Sequence, residues 1–187
     1  MLYVLGAAAV GVIAYAWLSS AEQSAMNSYH SSARRLSREI EQRQGQLNSY
    51  RQANQAARDY YKHIDLHHNS VLTANEAFAL YDAQKQMLTM LNQRIDGFVK
   101  QIIALKKQRD VAKGAKKAEI RQQLNVIRGF FQEAKLERAN MKQQKETLLF
   151  ELRELNKKTR ELKLYIRDNC GKKGRDWYQR GLERRSA

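Results

Sequence analysis

Apolar side chains recur at alternating steps of three and four residues along most of this 187-residue chain. That spacing places them on one face of an α-helix and is typical of the seam of a coiled coil. The chain also contains no proline, the residue that most often ends a helix. The pattern therefore predicts an all-α protein built from long coiled-coil helices.

Three apolar stripes can be traced, and the longest, from Ile120 to Ile166, has apolar residues at eleven of its fourteen positions. The stripes do not share one register. One change of register coincides with the turn-like residues His67–Ser70 and a capping-box pattern from Thr73 to Glu76. The other coincides with Gly114, and glycine weakens a helix by about 1 kcal/mol. We therefore expect helices near residues 22–66, 73–110 and 116–168.

Two arrangements satisfy these stripes. The helices can fold back as an antiparallel three-helix bundle, or two or more chains can lie side by side as an oligomeric rod. The residues around Gly114 are good helix formers, so both a turn and a continuous bent helix are open there. The third helix is longer than the second, so its Leu148–Ile166 stripe is expected to lack a partner within the chain. That excess predicts self-association or a partner helix.

Residues 1–21 precede the stripes and carry no charged side chain. Because about 20 apolar residues in a helix span the hydrocarbon core of a bilayer, this segment is predicted to be a transmembrane anchor. A cleavable signal peptide is the alternative, but its positively charged start is absent. Arg34, Arg35 and Arg38 follow the segment, so the positive-inside rule places the body in the cytoplasm. The sequence thus predicts a single-pass membrane protein with a helical body, 22–168, and a C-terminal tail, 169–187.

The net charge of +15 predicts a partner of negative sign, and a run of eight basic residues occupies Lys100 to Arg121. Lysine dominates this run, which suits contact with phosphates as point charges. Lipid headgroups and nucleic acid are both served by such a run. The candidate binding residues are Lys106, Lys107, Arg109, Lys113, Lys116 and Lys117.

The tail differs from the coiled-coil body because glycines and aromatic residues stand among its basic residues. Trp177 and Tyr178, flanked by Arg175 and Arg180, are predicted to dock on a partner protein or to stack on single-stranded nucleic acid. Capping of one end of the bundle is the alternative. Cys170 is the only cysteine, so it is a candidate for an interchain disulfide if the body faces an oxidising compartment.

His63 and His67 are one helical turn apart and are the only candidate metal ligands that the spacing suggests. A further ligand is not visible, so no metal site is predicted. The chain contains no phosphate-binding loop, dinucleotide-binding turn or nucleophile elbow. We therefore expect neither a cofactor nor an enzymatic activity.

These features together predict a membrane-anchored coiled-coil scaffold or tether that associates with itself and with another protein of a membrane complex. The layout of an N-terminal anchor, a coiled coil and a cysteine near the C-terminus also resembles the inner-membrane spanins of phages. That resemblance implies a lysis protein with its body outside the cytoplasm, against the charge pattern. A membrane tether for nucleic acid is the third hypothesis, and it predicts affinity that falls steeply with salt.

Overall fold

The structure, a computed structural model, describes residues 17–50 and 59–186 of the chain. Within those residues the protein has four α-helices and no strand. The prediction of an all-α fold is confirmed. The helices are α1 (Ser20–Ser49), α2 (Tyr60–Val111), α3 (Gly114–Asn169) and α4 (Gly171–Ser186).

The residues group into two compact units. Unit 1 combines Met1–His30 with Asp82–Glu146, and unit 2 combines Ser31–Tyr81 with Thr147–Ala187. The described part of unit 1 therefore contains the start of α1, the C-terminal part of α2 and the N-terminal part of α3. Unit 2 contains the remaining parts of these three helices together with α4.

In unit 1, α2 and α3 run antiparallel along a shared seam. The Gln84 side-chain amide donates a hydrogen bond of 2.9 Å to the backbone oxygen of Met141, while Phe98 faces Phe130 farther along α2. Residue numbers thus rise along α2 as they fall along α3. Gly114, at a φ of 58°, opens α3 directly after Ala112 and Lys113, which lie outside both helices. Of the turn and the bent helix left open near Gly114, the structure therefore has the turn, which the positive φ of glycine permits.

In unit 2, the buried core joins side chains from α1, α2 and α3 with Tyr50 and Cys170, and Trp177 of α4 packs against it. Its members are Leu36, Ile40, Leu47, Tyr50, Ala74, Ala77, Leu148, Leu152, Leu155, Leu162, Ile166 and Cys170. The expectation that the Leu148–Ile166 stripe lacks a partner within the chain is therefore wrong. Burial of each leucine in this stripe contributes roughly 1.5–3 kcal/mol to stability.

The break predicted between residues 66 and 73 is also wrong, because α2 passes through this segment as one helix. The hydroxyl groups of Ser70 and Thr73 donate to the carbonyl oxygens of Leu66 and Asn69, one turn earlier. Such bonds satisfy a polar side chain in a buried helix position. Thr73 therefore lies inside α2 and does not open a new helix.

The first predicted helix, 22–66, is correspondingly too long. Helix α1 ends at Ser49, and residues 51–58 lie outside the described part of the chain. Tyr61, placed in the first stripe by the sequence pattern, is 68% exposed because it lies on the outer face of α2. The seam of α2 continues backward through Ser70 to His63, and both residues are buried.

Helix α1 begins with a capping box. The Glu22 carboxylate accepts a hydrogen bond from the Ser19 backbone N–H at 2.9 Å, and the Ser19 hydroxyl oxygen accepts one from the Glu22 N–H at 3.4 Å. The Arg94 guanidinium also donates to Glu22, and this contact is the main cause that lowers the pKa of the carboxyl to about 2. The charged pair ties the start of α1 to α2 within unit 1.

Most of the predicted transmembrane anchor, residues 1–16, lies outside the described part of the chain. Its described end contains Trp17 and Leu18, which are buried in unit 1. None of the helices in the described residues is both long enough and apolar enough to cross a bilayer.

His63 predicts how unit 2 responds to acid. Its side chain is buried between Tyr50 and Tyr165, with ring centroids 6.0 and 5.5 Å away, and its Nε2 atom has no hydrogen-bond partner. Burial lowers the pKa of His63 below 6.5, with a smaller opposing effect from Asp59. The unfolded chain therefore takes up a proton at a higher pH than the folded chain does.

We accordingly expect the free energy of unfolding to fall as the pH drops below about 6.5, by at most about 1.4 kcal/mol per pH unit for this one group. The loss stops once the pH is below the pKa of folded His63. The variant His63→Leu should show a shallower decline in denaturant titrations at pH 7 and pH 5. His68→Gln, on the exposed side of the same helix, is the control and should keep the slope of the unchanged protein.

Candidate functional site: a basic hairpin end

The predicted basic run lies where α2 and α3 meet, and we call residues 99–127 the hairpin end. It contains eight basic residues, from Lys100 to Arg121, but only two acidic ones, Asp110 and Glu119. Within the described residues, the one ion pair in this segment joins Arg109 to Asp110, at 2.7 Å. The hairpin end is therefore strongly positive.

The turn brings together most of the lysines that the sequence singled out. Lys106 and Lys107 lie in the last turns of α2, Lys113 lies in the connection, and Lys116 lies in the first turn of α3. All four side chains are exposed, whereas Arg109 and Lys117 are half-buried. The two-residue connection thus brings these lysines together at one end of the hairpin. In one straight helix, the same lysines would extend over about 15 Å.

Apolar side chains are exposed among these charges. Val111, the last residue of α2, is 81% exposed, and Ile103 and Val126 are each 49% exposed. An apolar residue surrounded by lysines is suited to a bilayer surface, where the apolar group enters the acyl boundary and the charges remain at the headgroups. Sequence reasoning missed this feature because it considered only the apolar residues of the seam.

A groove of about 650 Å³ runs along one side of the hairpin end. We call it the hairpin groove, and its walls come from both helices. They are formed by Gln101, Ala104, Leu105, Glu119, Gln122, Gln123, Val126 and Ile127. Four of its eight lining side chains are apolar, three are glutamines and one is charged, so it suits an apolar segment more than a charged ligand.

The aromatic residues of the tail lie elsewhere, in unit 2. Gly171, at a φ of 62°, lets the chain turn from α3 into α4. The Trp177 ring then meets the edge of His67 at 5.0 Å, and the Lys163 ammonium lies 4.8 Å from the centre of the Tyr178 ring. Both aromatic rings therefore make contacts within the chain, whereas Arg175 and Arg180 are exposed.

Cys170 lies beneath α4 and is 5% exposed. Burial also raises the pKa of its thiol, which lowers its reactivity as a thiolate. An interchain disulfide at Cys170, as the sequence suggested, thus requires α4 to move away from α3.

The two candidate metal ligands occupy different surroundings. His63 packs between tyrosines, and His67 packs on Trp177. In residues 17–50 and 59–186, no group of three or more His, Cys, Asp or Glu side chains is arranged to hold a metal ion.

No protein-family model, curated protein or solved structure matches this chain. The hairpin end combines exposed lysines with exposed aliphatic side chains. Its lysines, exposed valines and apolar groove all favour contact with an anionic and partly apolar partner.

Gly174 provides a test of how α4 is held. A Cβ atom at this position would lie 2.1 Å from the backbone oxygen of Ile166 and 2.9 Å from the Cβ of Cys170. Since the backbone oxygen cannot move aside without disturbing α3, Gly174→Ala should displace α4. We expect a loss of stability of about 1–3 kcal/mol by overpacking, and faster reaction of Cys170 with a maleimide.

Gly181→Ala is the matched control in the same helix, because the nearest atom to its added Cβ is the Lys163 ammonium at 3.9 Å. It should leave Cys170 protected and should stabilise α4 slightly, since alanine favours a helix over glycine. Equal labelling rates in the two variants would show that the contact at Gly174 does not hold α4 in place.

Proposed function

We propose that this protein is a non-enzymatic, membrane-anchored helical scaffold whose hairpin end lies on an anionic lipid surface. The observation that carries the proposal is the cluster of exposed lysines around the exposed Val111, in the same unit as Trp17 and Leu18, the described end of the apolar segment. In this proposal the apolar segment anchors the chain. The hairpin end then binds the headgroups of the cytoplasmic leaflet, which carries negative charge.

The joint before α1 supports this arrangement. Residues Trp17–Ser19 lie outside α1, so the anchor segment and α1 do not form one uninterrupted helix. A non-helical joint lets the anchor enter the bilayer at an angle to α1. The hairpin end can then lie on the membrane surface without its lysines entering the hydrocarbon core, which would be costly.

The composition of the hairpin end favours lipid over nucleic acid. A single-stranded nucleic acid site usually includes aromatic side chains on which bases stack. Residues 99–127 contain no aromatic residue, and their exposed apolar side chains are aliphatic. Aliphatic groups gain free energy in an acyl layer but have little to contact along a phosphate backbone.

Exposed apolar residues away from the seam support the scaffold role. Phe150 and Leu136 are 66% and 65% exposed on α3, and Phe78 is 49% exposed on α2. Single apolar residues on a surface are common, but large ones concentrate at sites of protein contact. In this proposal, they serve association with a second copy of the chain and with another protein of the membrane assembly.

Charge removal at the hairpin end tests the lipid contact. The fourfold variant Lys106→Gln, Lys107→Gln, Lys113→Gln and Lys116→Gln lowers the net charge by four without touching a buried side chain. At about 1 kcal/mol per lysine near an anionic surface, binding to phosphatidylserine vesicles should weaken by roughly three orders of magnitude. Vesicle sedimentation of the full chain at 0.1 M salt measures this, with neutral phosphatidylcholine vesicles recording the contribution of the apolar segment alone.

A matched control removes the same charge elsewhere, through Lys142→Gln, Arg153→Gln, Lys157→Gln and Arg160→Gln, all at exposed positions of α3. This control should retain nearly the full preference for anionic vesicles. If both variants lose the same affinity, the net charge and not the hairpin end determines binding. A preference for DNA over anionic vesicles in the unchanged chain would favour the nucleic-acid tether instead.

A further inference from the structure

The hairpin groove continues the site in which α1 lies. In unit 1, α1 and the residues before it contact Arg94 and Phe98 of α2, through Glu22 and Trp17 respectively. Seven residues farther along α2 these positions become Gln101 and Leu105, which lie in the groove wall. A shift of seven residues returns to the same face of a helix in a coiled coil. The groove is therefore on the α1 side of α2.

Helix α3 leads to the same result. The Trp17 indole N–H donates a hydrogen bond of 3.0 Å to the Glu133 carboxylate. Positions seven and fourteen residues before Glu133 are Val126 and Glu119, and both line the groove. On both helices, the face that contacts α1 and Trp17 therefore continues into the hairpin end. Among the described residues, α1 begins only at Ser20 and does not reach this part of the hairpin.

The chain itself contains a segment that matches the groove in position, length and chemistry. Trp17 contacts Phe98 and Glu133, which lie seven residues from the groove residues Leu105 and Val126. The 16 residues before Trp17, which we call the leader, contain no charged or amide side chain. A helix of 16 residues is about 24 Å long, and the 13 residues of α2 beyond Phe98 extend about 20 Å. The glycines and alanines of the leader would permit close packing against two helices.

We propose that the leader docks in the hairpin groove when the protein is in water, and so completes a three-helix arrangement in unit 1. The docked leader covers Leu105, Val126 and Ile127, and its own apolar surface is covered in return. This docking does not depend on lipid binding. In addition, if the proposed function holds, the bilayer competes with the groove for the leader, and the joint at Trp17–Ser19 is where the chain changes direction.

Cysteine protection tests the docking without altering the leader. In a Cys170→Ala background, Val126→Cys and Ile103→Cys place one thiol each on the full chain. The two native side chains are equally exposed, at 49%, but only Val126 lies in the groove wall. In detergent-free buffer, a maleimide should react several-fold more slowly at position 126 than at position 103. Equal rates would overturn the proposal.

Disulfide trapping identifies the occupant. Val10 lies seven residues before Trp17, as Leu105 lies seven residues after Phe98, so a docked leader would place Val10 beside the groove. The test therefore combines Val10→Cys with Val126→Cys. Ala7→Cys and Ala14→Cys, each combined with Val126→Cys, test the neighbouring leader positions. Copper-phenanthroline should give an intramolecular disulfide with position 126 in several-fold higher yield than with Ile103→Cys. Equal yields, no disulfide at any of the three leader positions, or mainly dimeric products would overturn the proposal. Circular dichroism of each variant verifies that its helix content is retained.

Addition of anionic vesicles separates this inference from the proposed function. A disulfide that forms when the oxidant is added in buffer, but not when it is added after the vesicles, supports both. A disulfide that forms in equal yield in buffer and in the presence of vesicles leaves the docking standing and contradicts the membrane anchor. Binding to vesicles without any disulfide in buffer contradicts the docking alone.

Discussion

Burial of a continuous helical seam is the interaction on which the rest of this structure depends. Each unit places side chains from three helical segments against one another, and in unit 2 four leucines and one isoleucine of α3 supply five of the twelve core side chains. Helices of this length gain little from intrinsic propensity compared with the packing of their apolar faces. Where three helical segments meet, apolar side chains are buried. At the hairpin end, where no described residue of α1 is present, the hairpin groove remains.

Polar residues in the seam show how strongly this packing overrides local preference. Ser70, Thr73 and Thr159 are buried, yet each hydroxyl donates to a carbonyl oxygen four residues earlier in its own helix. Because such bonds need no partner from another helix, these residues occupy core positions at small cost. His63 has no equivalent bond at Nε2, and burial therefore lowers its pKa.

The same seam explains where the proposed binding surface arises. At the hairpin end, α2 and α3 continue beyond the start of α1, so their apolar inner face is not covered by any described residue of α1. The turn at Ala112 and Lys113 then brings the lysines of two helix ends together around that face. Positive charge beside an apolar groove thus results from a difference in helix length combined with one tight turn. Both proposals use this one feature, the first through its charge and the second through its groove.

The sequence by itself determined the helical character, the seams of the second and third stripes and a change of register near Gly114, while the structure decided that this position is a turn. These follow from spacing and from the backbone freedom of glycine, which are local properties. It did not determine that His67–Ser70 lies inside α2, since turn-forming residues there are overridden by hydrogen bonds and burial. Only the tertiary structure decided that the Leu148–Ile166 stripe is covered within the chain and that Gly174 of α4 packs against the Ile166 backbone of α3. It also decided that the hairpin groove lies in line with α1. Each of these features depends on contacts between residues that are far apart in the chain, and local sequence patterns do not specify those contacts.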